Sequence, residues 1–462
     1  MSPGPQRPTS LPSVPPPYAV PSRTDRVVAT AARAIGGPAG RHLAIGTRGL
    51  AGVAAALVVM SAVMMALAVW QKGHCLMKGW SNPGQFWRTC YSDVPVVHVT
   101  TGLAEGSLPY AGATPSDQPP LSGLLLWVLA RVSPASGTGL ASQQWVFGLW
   151  AGLATVLLAL AVLAAVSLRP HHPWQAAHLA ASPVLVVLAL VSTDLLGIAL
   201  VVWALVAWRS GRPVPAGVLL GVALLLRPHP LVFVAALALL AWRDGRARAA
   251  AHVVLAAVLT FLAVYVPFAL AVPGVQHGLR SWLTSGPSYG ATTLVPQLLP
   301  HLGLRPLLPV ATTVVALAGW ALALALGWWL SRSRWRPGLV PLAGAMLLVV
   351  ALTAKAVPVQ AGLWLLPLLA LSRVPWRDHL VWAGVEIVHF VMVWMHIGFG
   401  FDAGRGLPGS TYALFLGLRL AAWAWLVWRL WQTTPAQGTS SSLPVVPPDS
   451  RSEWARAAST SG

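Results

Sequence analysis

Long apolar runs joined by short polar segments set the pattern of this chain. A stretch of about 20 apolar residues crosses the roughly 30 Å hydrocarbon core of a bilayer. Read against that length, the pattern predicts spans near residues 50–70, 145–168, 176–193, 195–208, 214–226, 230–242, 250–272, 307–330, 338–353, 360–372, 380–397 and 410–428. The expected fold class is all-α, a polytopic membrane protein with about 12 transmembrane helices. Pro228 and Pro230 interrupt what is otherwise one long apolar helix, since proline removes a backbone donor and crowds the preceding turn. Residues 71–144 form the longest joint. Within it the apolar run 121–132 is too short to span easily and suits a helix lying in the interface. Residues 1–48 and 432–462 have no apolar period and read as disordered cytoplasmic tails around a membrane domain at 49–431.

Composition agrees: 56% of residues are hydrophobic and 9% charged, where a soluble domain carries roughly a quarter charged residues. The 30 basic residues against 11 acids, a formal net charge of +19, would on a soluble protein suggest a polyanion partner. Here they lie in short clusters between spans. With the predicted alternation, 20 of the 30 fall on the side of both termini, nine on the other, and Arg419 within a span. That bias is a topology code. It places both termini in the cytoplasm and the 71–144 loop on the outer face of the cytoplasmic membrane, with membrane lipids as partners and no nucleic acid.

The few acids narrow the candidate chemistry. Asp93, Glu105, Asp117, Asp194 and Asp402 lie on the outer side, and Glu386 lies within a span. Cys75 and Cys90 share the outer loop, where an oxidising environment lets them pair and hold Asp93 near the mouth of the first span. Asp194, at a short outer turn, reads as a helix cap or as a site ligand. Arg227-Pro228-His229-Pro230 forms a second outer turn, either a phosphate clamp or side chains snorkelling to headgroups. Lys355 lies at an outer helix end where the charge bias disfavours it, with Gln360 and Trp364 opening the next span. Glu386 and His389 share one helical face with His396, as functional intramembrane groups or as a structural Glu386–His389 pair. Trp282 and Tyr289, in the 273–291 loop, either stack on a sugar or anchor at the interface.

No GxxxxGKS, HExxH, CxxC or GxSxG motif occurs. No cofactor is expected, no metal ligand set is assigned, and a divalent metal requirement stays open. Chemistry at the outer face without a nucleotide site calls for a substrate activated beforehand, such as a sugar on a polyprenyl phosphate. Glycosyl transfer then needs a carboxylate to take the acceptor proton and cations to meet the leaving phosphate. Asp93 is the candidate base.

The run Cys90-Tyr91-Ser92-Asp93-Val94-Pro95, followed by Leu108-Pro109-Tyr110 and Pro119-Pro120-Leu121-Ser122-Gly123, resembles the first outer loop of the actinobacterial membrane mannosyltransferases of glycosyltransferase family 87. Ser182-Pro183 with Asp194-Leu195-Leu196, the Gly221 to Pro230 hairpin, and Lys355 with Gln360, Trp364 and Pro367 are similar in order and spacing, and Glu386 with Trp394 looks like a final motif. The resemblance covers about residues 50–430. It implies a C-type glycosyltransferase architecture whose large first outer loop carries interfacial helices. It also implies an inverting hexosyltransferase that moves mannose from a polyprenyl-phosphate donor to a lipid-linked or glycan acceptor. Asp93 would be the base; Arg227, His229, Lys355 and Gln360 would bind the donor phosphate; Tyr91, Asp117, Asp194, Trp282, Tyr289 and Trp364 would bind sugar or acceptor; and Cys75, Cys90, Glu386 and His389 would be structural. The chain departs from many relatives at Gln118-Pro119-Pro120, where they carry acid-Tyr-Pro. It departs again at Arg227-Pro228-His229-Pro230 in place of a Lys-Tyr-Pro hairpin, and at Pro358-Val359-Gln360 in place of Ser-Pro-Gln. The alternative from another class is a secondary transporter or lipid-carrier flippase, with Asp93, Asp194, Glu386 and His389 relaying protons, although no internal repeat of the kind such proteins show is found.

Overall fold

The computed structural model of the protein describes residues 49–112, 116–299 and 303–433, and the described residues contain helices and no strand. From Val53 onward they belong to one compact unit. The helices used below are, in chain order, α1 (Gly49–Gln71), α2 (Asp93–Thr100), α3 (Pro120–Val132), α4 (Leu140–Leu168), α5 (Asp194–Arg209), α6 (Pro213–Leu224), α7 (Pro230–Arg243), α8 (Ala247–Ala271), α9 (His277–Thr284), α10 (Pro309–Arg332), α11 (Leu339–Thr353), α12 (Trp376–Phe399) and α13 (Gly409–Thr433). The predicted tails lie outside the described residues, except that α13 includes 432 and 433.

Among the described residues, six helices are long and apolar enough to cross a membrane: α1, α4, α8, α10, α12 and α13. The other predicted spans are shorter. At 1.5 Å per residue, α5, α6, α7 and α11 reach roughly 18 to 24 Å, less than a full hydrocarbon core. Two predicted spans are broken rods. The 176–193 segment splits at Ser182-Pro183 into Ala177–Ala180 and Val184–Leu188, and the 360–372 segment is a 3-10 turn, Val359–Leu365, followed by Leu366–Ala370. Every residue from 359 to 370 is buried. Irregular backbone at membrane depth is tolerated where protein surrounds it, and these rods pack against each other and against α12 at the centre of the bundle.

A tight helix seam joins α6 to α8. A Cβ at Gly217 would meet Val253 O at 2.5 Å, and one at Gly221 would meet Ala257 O at 2.5 Å. Absence of a side chain at these two positions is what lets the backbones approach.

At one end of the bundle, basic side chains satisfy carbonyls at helix C-termini and in a loop between helices. Arg169 Nη1 donates to Leu371 O (2.9 Å), Arg243 Nη1 to Pro337 O (2.7 Å) and Arg209 Nη1 to Leu168 O. Arg332 lies over the Trp328 ring at 3.7 Å, and Arg429 pairs with Asp378 at 2.6 Å. These side chains belong to the basic clusters that the sequence pattern assigns to the side of the termini. The other end carries the long first loop. Cys75 and Cys90 form a disulfide (Cα–Cα 5.8 Å), both fully buried. Gln71 Nε2 to Thr89 O (2.7 Å) and Trp80 Nε1 to Cys90 O (3.0 Å) tie the same parts of the loop together. Helix α3, at 13 residues too short to cross, docks on the neighbouring turns through Leu121 N to Leu225 O (3.1 Å) and Ser122 Oγ to Thr193 Oγ1 (2.8 Å).

Candidate active site

Asp93 is fixed from both sides of its peptide. Ser92 Oγ donates to Leu190 O and Asp93 N donates to Val191 O, each at 2.7 Å. These bonds pin the start of α2 to the turn that leads into α5. As the first residue of α2, Asp93 sits where the helix dipole favours an anion. Burial wins over that preference and raises its carboxyl to about 6. Arg227 and a hydrogen bond from the Tyr91 hydroxyl pull it down, while Asp117 and Asp194 push it up. The Tyr91 phenol is raised by burial and by Asp93. Its ring lies 4.7 Å from that of Trp394 on α12.

The turn between α6 and α7 supplies the principal cation. Arg227 Nε bonds Asp194 Oδ2 at 3.1 Å, and Trp364 Nε1 donates to Asp194 Oδ1 at 2.7 Å. Ser192 Oγ also bonds Asp194. Asp194 is fully buried and forms no side-chain capping bond at the start of α5, so the cap expectation gives way to a charge-assisted anchor for Arg227. Burial would lower the Arg227 guanidinium, but Asp194 and Asp93 hold it above its ordinary value. His229 stacks on Trp364 with centroids 5.1 Å apart. Burial lowers it to about 4, with Arg227 adding to that effect and Asp194 opposing it. It is therefore neutral at pH 7 and can offer a ligand a hydrogen bond but no charge. Its Nδ1 is buried without a hydrogen-bond partner.

Lys355 sits where it closes a helix. Its Nζ donates to Trp282 O (2.6 Å), Ser285 O (2.9 Å) and Leu283 O (3.3 Å), the carbonyls at the end of α9, and it lies 4.8 Å from the Trp282 ring centroid. The segment after Lys355 is zipped to the segment after α9 by Ser288 N to Lys355 O and Val357 N to Tyr289 O, both 3.1 Å. From below, Arg419 of α13 holds the same segment. Its Nη1 donates to Val357 O (2.6 Å) and its Nη2 to Pro358 O and Val359 O (each 3.1 Å). Nε of Arg419 reaches both oxygens of Glu386 at 3.1 Å, and Trp423 Nε1 donates to Oε1.

The expected Glu386–His389 pair is corrected: Glu386 is bound by Arg419, and His389 Nε2 meets Tyr412 OH at 3.3 Å. Residues three apart share a helix face. A fully buried carboxylate is nonetheless better compensated by a guanidinium on the facing helix than by a neutral ring. Arg419 had a signal in the sequence, as the one basic residue within a predicted span.

These elements enclose a cavity of about 590 Å³. Asp117, Gln118, Arg227, His229, Trp282 and Lys355 line its polar part. Tyr265 of α8, Ala316, Leu317 and Trp320 of α10, and Leu347, Val350 and Ala351 of α11 line the apolar part. Asp194, Trp364, Tyr289 and Gln360 stand behind this wall. Asp93 and Tyr91 are not among the residues that line it; Asp93 is linked to it through the electrostatic influence of Arg227 and Asp117, which do line it. Tyr289 sits edge-on to His396 and Tyr412, centroids 6.2 Å away in each case. Among the described residues no three His, Cys, Asp or Glu side chains are grouped to hold a metal ion.

No curated protein and no solved structure matches the chain. Residues 118–357 match glycosyltransferase family 87, 240 of the 462 residues. The matched stretch includes Arg227, His229, Trp282 and Lys355. With its membrane-spanning helices and this cavity, the chain is a membrane glycosyltransferase and belongs to glycosyltransferase family 87.

Proposed function

We propose that the enzyme moves a hexose, mannose by the resemblance in its first loop, from a polyprenyl-phosphate donor to a lipid-linked or glycan acceptor at the outer face of the cytoplasmic membrane. The observation that carries this reading is the two-part character of the cavity. Its polar part, with Arg227 and the unpartnered Nδ1 of His229, suits a sugar phosphate. Its wall of Leu317, Trp320, Leu347 and Val350 suits an isoprenoid chain. The acceptor hydroxyl attacks the anomeric carbon while the carbon–oxygen bond to phosphate breaks. Asp93 takes the hydroxyl proton, and the bonding pair leaves with polyprenyl phosphate, whose charge is met by Arg227 and the Lys355 field. Attack opposite the leaving group inverts the anomeric centre. Asp117 and Trp282, on the polar wall, contact the sugar. Asp194 and Trp364 hold Arg227 and His229, and Gln360 and Tyr289 shape the segment behind them.

The test uses the full chain in nanodiscs with synthetic polyprenyl-phosphate mannose and extracted glycolipids as acceptors, with products identified by mass spectrometry. Mannosylated lipid should form, Asp93→Asn should abolish it, and Arg227→Ala should raise the donor KM about tenfold or more. Transfer from a water-soluble nucleotide sugar, or substrate flux across proteoliposomes without a covalent product, would overturn the reading.

A further inference from the structure

One wall of the cavity is held at its two ends and not by a packed face. Helix α9 and the turn after it contribute Gly278, Leu279, Trp282, Ser285 and Ser288 to the lining, yet no residue of α9 is buried. Leu279 is 54% exposed and Leu283 42%. Eight residues make too short a helix to be stable alone, so the contacts at its ends decide whether this roof stays in place. At the first end Gly278 rests on the first outer loop, where a Cβ would meet Asp117 O at 2.7 Å. That stretch of loop is fixed in turn by the Tyr110 hydroxyl, which donates to Pro119 O (2.8 Å) and Gln118 O (3.0 Å). At the other end stands Lys355, 3% exposed, with its Nζ on the carbonyls of Trp282, Leu283 and Ser285. Thr313 Oγ1 of α10 shares Leu283 O at 3.2 Å. An ammonium has three protons to donate, and three carbonyls take them. While the roof is in place, Lys355 has none left for a phosphate oxygen.

We propose that Lys355 is a positioning residue: it latches α9 between Asp117 and the segment after α11, and the latched roof keeps water from the anomeric carbon of the donor. The inference rests on the reading of the cavity as the site of glycosyl transfer. Water competes there with the acceptor hydroxyl. Once admitted, its oxygen bonds to the anomeric carbon while the carbon–oxygen bond to phosphate breaks. Asp93 takes the water proton, the bonding pair leaves with polyprenyl phosphate, and the sugar is released free. A closed roof removes that route. Direct binding of phosphate by Lys355 would instead assist transfer and hydrolysis alike, because both expel the same leaving group. Latch and phosphate ligand therefore differ in one ratio, the free sugar formed per sugar transferred. Removing the Lys355 side chain leaves the neighbouring backbone bonds, Ser288 N to Lys355 O and Val357 N to Tyr289 O, in place, so the change is confined to the end of α9.

The experiment uses the full-length enzyme in nanodiscs with polyprenyl-phosphate mannose and extracted glycolipids, separating free mannose from mannosylated lipid. Amide hydrogen exchange at the end of α9 is followed in parallel without donor. Lys355→Met should raise the ratio of hydrolysis to transfer by about tenfold, as expected for losing charge-assisted bonds that favour the closed roof, and should speed the exchange by a similar factor. Gly278→Ala, which lifts the other end of the roof and leaves the Lys355 charge intact, should raise the ratio as well. Slower transfer at an unchanged ratio in Lys355→Met would make Lys355 a phosphate ligand and overturns the proposal. If Lys355→Met does not fold, as judged by gel filtration, an unchanged ratio in Gly278→Ala overturns it. A wild type that neither transfers nor hydrolyses polyprenyl-phosphate mannose sinks the donor reading. Exchange then decides the latch by itself, unchanged rates in Lys355→Met overturning it and faster rates upholding it.

Discussion

Asp93→Asn should make the protein more stable while it abolishes transfer. The fold binds a proton at Asp93 more tightly than the unfolded chain does, since its carboxyl is raised from 3.8 to about 6, chiefly by burial. Linkage converts that difference to roughly 3 kcal/mol. Partial access to solvent at Asp93 and the weaker acceptor an amide offers to Tyr91 reduce it, so the expected gain at pH 7.5 is about 1 to 2 kcal/mol. The sign follows from the raised value. Wild-type stability is fully present below about 3.8, is lost as pH rises through about 6, and is flat above it. Asparagine does not titrate. The gap between variant and wild type should therefore be widest at pH 7.5 and narrow toward pH 4.5. Unfolding midpoints in mixed detergent micelles, followed by tryptophan fluorescence at both pH values, measure it. A variant less stable than wild type at pH 7.5, or a gap independent of pH, would refute the claim that the site holds its charge against the preference of its surroundings.

Arg419→Met should cost about 3 to 5 kcal/mol, because it strands the buried Glu386 carboxylate. The paired variant Arg419→Met/Glu386→Gln should recover much of that loss. A coupling energy below about 0.5 kcal/mol in the double-mutant cycle would show that the pair does not act as a unit. In the same Arg419 variant the donor KM should rise, since the segment of Val357, Pro358 and Val359 loses its three bonds. Gly221→Ala should destabilise by about 1 to 3 kcal/mol, because its Cβ would meet backbone on α8, Ala257 O at 2.5 Å. The surviving folded fraction should keep its donor KM, and a changed KM with unchanged stability would contradict the purely structural reading of that seam.

Much of the architecture was legible because apolar length and basic clustering are local properties. The turn at Arg227-Pro228-His229 and the facing cysteines needed only short-range reading. What escaped the sequence was pairing across distance. Glu386 suggested His389 because a helix repeats every three to four residues, whereas its partner Arg419 is 33 residues away. Asp194 read as a cap or a site ligand, since nothing local announces that Arg227 and Trp364 converge on it. The rod at 359–370 read as a span because complete burial in protein and burial in lipid select the same apolar residues.

Helix α8 has little of itself buried in the bundle, 11% of its most apolar window, and Leu317 lines the cavity while 55% exposed. If the cavity is the reaction chamber proposed above, it would open sideways, toward the hydrocarbon. A donor with an isoprenoid tail would reach it by diffusing in two dimensions, never leaving the leaflet. Its effective concentration is then its mole fraction among lipids. Rates measured at constant bulk donor should fall as detergent or carrier lipid is added, the surface-dilution behaviour of an enzyme whose substrate pool is the membrane itself.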